Sequence, residues 1–106
     1  MWNAPTKEKM AKVLPPFYST EDTPTGDKIV GMHFFIGSCD WWLVEYDLES
    51  DTAFGFVNLG SDIDAEWGYI YMPELREIKI RGVFEVDYDK FWNPRPAKEV
   101  KGIKVY

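Results

Sequence analysis

The chain holds one histidine, His33, and one cysteine, Cys39, six positions apart. A thiol beside an imidazole is the raw material of a nucleophilic dyad, in which the base takes the thiol proton and the thiolate attacks. Such a pair needs hydrogen-bond contact and a third group that orients the base. Nothing beside His33 or Cys39 forms a known nucleophile signature, and a lone histidine in an apolar strand is ordinarily a satisfied structural residue. A second cluster, Asp62-Ile-Asp64-Ala-Glu66, places carboxylates at i, i+2 and i+4, as at the start of a calcium loop. That loop requires glycine at its sixth position and glutamate at its twelfth, where this chain has Trp67 and Pro73. Gly68 and Glu74 each come one residue late, so the cluster reads as a solvated turn between strands.

One histidine and one cysteine are too few for a closed zinc site, and the chain has no phosphate-binding or dinucleotide glycine motif. No spacing singles out two carboxylates for glycoside hydrolysis. The residues therefore assign no catalytic group, no metal ligand and no cofactor. A small enzyme or ligand-binding module stands as the alternative reading, with a site assembled only in three dimensions.

The aromatics offer binding chemistry instead. Adjacent strand residues face opposite ways, so Trp41 and Trp42 divide between two faces, one of them shared with Glu45 and Asp47. Trp67, Tyr69 and Tyr71 line one face of their own strand. Aromatics fill cores, which is the plain reading. They also anchor interfaces, which makes an aromatic and acidic contact surface the sharper one.

Charge is polarised along the chain. The net charge is −6, yet residues 29–75 contain nine acids and no Lys or Arg, while residues 76–106 contain eight basic and five acidic side chains. A nucleic-acid binder neutralises phosphates with a basic stripe, so this pattern argues against direct nucleic-acid binding and for a protein partner with a basic surface. The single cysteine excludes an internal disulfide framework, and no basic-then-apolar leader opens the chain, from which a reducing, cytoplasmic setting is expected. The apolar runs fall far short of the roughly 20 residues of a membrane helix.

The elements that must position these residues are short. Residues 6–14 have helical spacing at Met10, Val13 and Leu14, with Thr6 as N-cap and Pro15-Pro16 as terminator. Residues 29–36, 41–48, 52–59 and 66–72 are rich in β-branched and aromatic residues and bounded by turn formers. In the second of these, Trp42, Val44, Tyr46 and Leu48 share a buried face and Glu45 and Asp47 a wet one. Links of a few residues permit hairpins but not parallel crossovers. Pro73 starts a short second helix and residues 83–88 form a fifth strand. The expectation is one α+β domain over residues 1–106, a mostly antiparallel meander of about five strands with an N-terminal helix. Residues 1–5 and 97–106 are its looser ends, although Val100, Ile103, Val105 and Tyr106 are apolar enough to dock.

Leu14-Pro-Pro-Phe-Tyr-Ser-Thr-Glu-Asp22, the Phe34-Phe35 pair, Trp41-Trp42, Phe54-Gly-Phe-Val, Trp67-Gly-Tyr and Pro73-Glu-Leu together resemble a family of small bacterial proteins of unknown function. That family opens with Leu-Pro-Pro-x-Tyr-x-Thr-Glu-Asp and continues with a Trp-Tyr-x-x-Glu-Phe-Asp strand. The likeness covers about residues 6 to 96, with Trp67 where the family carries leucine and Met72-Pro73 in place of a capping serine. It implies no catalytic residues. It implies an accessory role on mobile genetic elements, such as evasion of host defence. Combined with the charge pattern, the expected function is non-enzymatic protein binding through an acidic face made by Trp41, Glu45, Asp47, Asp62, Asp64, Glu66 and Trp67.

Overall fold

Thr6 opens the first helix, α1 (Lys7–Val13), and its hydroxyl oxygen accepts the Lys9 amide at 3.1 Å, satisfying a donor that the first turn leaves free. The computed structural model describes residues 1–105; Tyr106, and with it the expectation that it docks, lies outside them. After Leu14 the Pro15-Pro16 pair ends the helix and the chain enters a loop. The first strand-like run is divided at Gly31, giving β1 (Ile29–Val30) and β2 (Met32–Ile36). A tight Gly37-Ser38 turn leads into β3 (Cys39–Asp47), followed by β4 (Thr52–Leu59) and β5 (Glu66–Tyr71). Helix α2 (Met72–Glu77) follows without a linker and carries Pro73 in its first turn.

The expected fifth strand forms as two pieces. Lys79–Ile80 (β6) and Phe84–Glu85 (β7) make a separate hairpin, and Asp87–Tyr88 (β8) pairs antiparallel with β2. The break falls at Val86, which is fully buried on the helix side; Arg81 and Gly82, both at positive φ of 56° and 70°, make the turn that joins β6 to β7. Finally Arg95–Pro96 (β9) pairs with β1. The main sheet runs β5-β4-β3-β2-β8 with every pairing antiparallel, an α+β fold in which β2 to β5 form the meander that short links require.

Both faces of the sheet are covered, which corrects the expectation of one wet face. On one side Met10 and Leu14 of α1, Met72 and Leu75 of α2, and Val86 pack against Phe34, Trp41, Leu43, Tyr46, Ala53 and Ile70. On the other, Val30, Ala97 and Val100 cover Trp42, Val44 and Phe56, with Trp67, Trp92 and Ile103 beside them. Residues 97–103 therefore dock on the sheet, and Pro5 is buried at the other end of the chain. Fully burying side chains such as Phe34 and Phe56 contributes about 2–3 kcal/mol each.

The facing of β3 also differs from simple alternation. Leu43 pairs with Gly55 and Glu45 with Phe54, so Val44 is the extra residue of a β-bulge. Past it the phase changes, and Tyr46 joins Trp41 and Leu43 rather than Trp42 and Val44. Gly55 marks the close approach that accompanies the bulge: a Cβ there would lie 1.9 Å from the Trp42 carbonyl oxygen. Leu48 falls beyond the strand and is exposed.

Candidate functional site

The bulge decides the fate of Glu45. Only 5% exposed, its carboxylate accepts the Tyr18 amide at 3.1 Å, the Thr20 amide at 3.2 Å and the Thr20 hydroxyl. Lys28 Nζ reaches the Thr20 hydroxyl oxygen at 3.0 Å and its carbonyl. The Leu14–Asp22 motif is thus a loop wound around one buried carboxylate, with Tyr18 at φ 66°. Charge-assisted bonds of this kind are about twice as strong as neutral ones, which explains how a loop of such composition holds a left-handed tyrosine. Glu45 supports the fold from inside; as a solvent-facing contact residue it is corrected.

At the same end of the sheet Asp51, at φ 52°, accepts both Arg76 guanidinium nitrogens, one of them at 3.1 Å, and the Tyr46 hydroxyl at 2.5 Å. Burial alone would raise the Asp51 pKa, but the Arg76 and Tyr46 hydrogen bonds outweigh it and hold the carboxyl below its usual value. Burial and the neighbouring Asp51 push the Tyr46 hydroxyl up, and the hydrogen bond to Asp51 raises Arg76. This triad ties α2 to the β3–β4 turn.

His33 and Cys39 do not meet. Cys39 packs with Ile36 toward the helices, whereas His33 faces the other side and stacks on Trp42, its cross-strand partner, at 5.4 Å and 13°. Its Nε2 meets Asp40 at 2.8 Å and its Nδ1 meets Asp89 at 3.0 Å. The Asp residues approach different ring nitrogens and so diverge from one another. Among the described residues no three such side chains are grouped to hold a metal ion. With both nitrogens committed and Trp92 tilted against the ring at 5.2 Å, His33 fastens the chain after β8 to the sheet.

The seven expected contact residues scatter. Trp41, 5% exposed, is in the core. Trp67 is half-buried, stacks on Phe54 at 6.0 Å and donates to the Lys104 carbonyl at 2.8 Å. Asp47 caps the β3–β4 turn, accepting from the Ser50 amide at 3.0 Å. Asp62, Asp64 and Glu66 lie at the opposite end of β4, all exposed, with Asp62 taking the Asn58 side-chain amide at 2.8 Å. The eight residues of β4 put about 25 Å between those ends. A contiguous acidic block in sequence is therefore not one acidic face.

What the fold does build beside Asp64 and Glu66 is a groove. One cleft of about 410 Å³ is lined by Val57, Leu59, Gly68 and Tyr69 with Asp64 and Glu66 on its rim. A second, of about 230 Å³, shares Val57, Leu59 and Tyr69 and continues over Trp41 to Glu74, Leu75 and Ile78. Leu59, Tyr69 and Tyr71 are 67%, 60% and 52% exposed along it. The floor is apolar and the rim carries carboxylates. Gly68 and Glu74 entered the sequence reading only as displaced calcium-loop positions and Leu59 only as the end of a strand; a glycine within a strand is the signal that points to such an open spot.

No helix among the described residues is long and apolar enough to cross a membrane. No curated protein and no solved structure matches the chain. Residues 6–98 match the family described as "Protein of unknown function (DUF2958)". The match takes in the Glu45-bound loop, the whole meander and α2, and the chain belongs to that family.

Proposed function

We propose that the protein is a non-enzymatic binding factor that engages a basic protein partner through the groove at the β4–β5 end of the sheet. The observation that carries this is the joining of an apolar floor, Val57, Leu59 and Gly68, to a rim of free carboxylates at Asp64, Glu66 and Glu74. An apolar floor supplies binding energy, and a like-charged rim steers and selects a cationic partner. The same rim repels phosphate backbones, in keeping with a partner that is protein rather than nucleic acid. The commitment of both His33 nitrogens weighs against an enzyme built on that residue.

The family resemblance supports an accessory role on a mobile element, in which a carboxylate surface occupies a basic groove of a host defence machine. Cys39 as a free thiol is in keeping with action in a reducing cytoplasm. The test is direct. An acetylated, amidated octapeptide of alternating lysine and valine binds the parent protein, and its affinity weakens as salt rises from ~0.05 M to ~0.5 M. Reversing Asp62, Asp64 and Glu66 to lysine lowers that affinity by about tenfold or more and flattens the salt response. Equal binding by the reversed variant overturns the reading.

A further inference from the structure

The two edges of the sheet are finished differently. An edge strand presents unpaired N–H and C=O groups, which proteins ordinarily blunt with lysine, proline, a bulge, shortness or a covering segment. At one edge β8 is two residues long, and the Asn3 side chain caps it by accepting the Tyr88 amide at 3.1 Å and donating to the Tyr88 carbonyl at 3.0 Å. At the other edge β5 runs six residues in unbroken register against residues 52–57 of β4. It contains no Lys, Arg or Pro. Among the described residues no strand pairs with its outer side.

Three observations indicate what fits there. The groove follows the strand, so its occupant is extended. A Cβ on Gly68 would meet nothing within 4 Å, which leaves room for an incoming side chain at the middle of the strand. Asp64 and Glu66 stand at one end and Glu74 near the other; Lys104 Nζ donates to the Ile63 and Ala65 carbonyls beside Asp64 at 3.4 and 3.2 Å and pairs with none of the three carboxylates. A second copy of the chain would bring two such carboxylate rims together, whereas a basic segment complements them.

We infer that the outer edge of β5 is a strand-addition site for an extended basic segment of a partner protein, a conclusion that rests on the binding function proposed above. Main-chain hydrogen bonds to β5 hold the segment about 4.8 Å away, alternate side chains enter the groove over Gly68, and its lysines or arginines meet Asp64, Glu66 and Glu74.

The experiment uses the full chain, the same lysine–valine octapeptide and a version N-methylated at alternate residues, which keeps the charge but blocks one hydrogen-bonding edge. Strand addition predicts slowed hydrogen exchange at alternate β5 amides on binding and an affinity loss of about tenfold or more for the methylated peptide. If both peptides bind equally and the β5 amides stay unprotected, while charge reversal at Asp64 and Glu66 still weakens binding, strand addition is wrong and the acidic groove stands. Unchanged binding on charge reversal as well removes both. Protection of β5 without peptide, rising with protein concentration alongside dimer formation, makes a second copy the occupant and overturns the basic partner. Failure of the unmethylated peptide to bind at millimolar concentration overturns it too.

Discussion

The two ends of β4 are both acidic and use their acids differently. Near the β3–β4 turn, Glu45 and Asp51 are buried and Asp47 is spent on the turn: each accepts hydrogen bonds that fix a loop, a helix or the turn itself. Near the β4–β5 loop, Asp64 and Glu66 are exposed along a groove. A carboxylate that loses water must be repaid by donors, and the first group has backbone amides, a hydroxyl and a guanidinium in place. The second group keeps its water and stays available. Identical residue types in one acidic stretch thus divide into scaffold and surface according to what the fold sets opposite them.

The sharpest break of this comparison is Asp51→Asn. Asparagine tolerates the positive φ but leaves Arg76 without its counter-charge, so unfolding in denaturant is expected to show a loss of about 3 kcal/mol, the low end for breaking a buried pair. The pH dependence follows from the depressed Asp51 pKa. The unfolded carboxyl takes up its proton near pH 4, while the folded one resists, so the unfolded state binds more protons and stability falls as pH drops. The gap between parent and variant should be full above about pH 5, narrow as pH falls past the unfolded value near 4 and close only below the depressed folded pKa; a gap that persists at still lower pH would detach it from Asp51 ionisation.

Glu45→Gln comes next, at about 2 kcal/mol, because the amide offers one accepting oxygen where three donors converge and turns an NH₂ toward backbone N–H. Tyr46→Phe removes one hydrogen bond to Asp51 and should cost about 1 kcal/mol by the same measurement. At the other end of β4, Asp64→Lys or Glu66→Lys should move stability by no more than about 0.5 kcal/mol. A loss above 1.5 kcal/mol there would mean that these carboxylates, too, belong to the scaffold.

The four central strands were legible because alternation and turn formers mark them locally; β4 (Thr52–Leu59) has the bounds read from sequence. Thr6 and Pro73 likewise announced their helices. The bulge at Val44 was not legible, since an extra residue leaves apolar composition unchanged and shows only against the partner strand. That one feature moved Tyr46 to the helix side and helped turn Glu45 inward. The bracketing of His33 by Asp40 and Asp89 depends on contacts 7 and 56 residues apart, beyond any local pattern. The Asp62–Glu66 cluster was read correctly as a turn, but its groove needed α2 and β4 placed around it.

The order in which the sheet's two covers are synthesised has its own consequence. Everything on the helix side up to α2 is complete at Glu77, and the meander can close from contacts between neighbours in the chain. The opposite cover, in which Ala97, Val100 and Ile103 join Val30 over Trp42, Phe56 and Trp67, comes mostly from residues 97–103. At the usual ribosomal rate of about 5–20 residues per second, residues 78–105 need roughly 1–6 s to follow. Until residues 97–103 leave the ribosome and dock, the meander presents a bare aromatic surface, and it is then that a chaperone has something to hold.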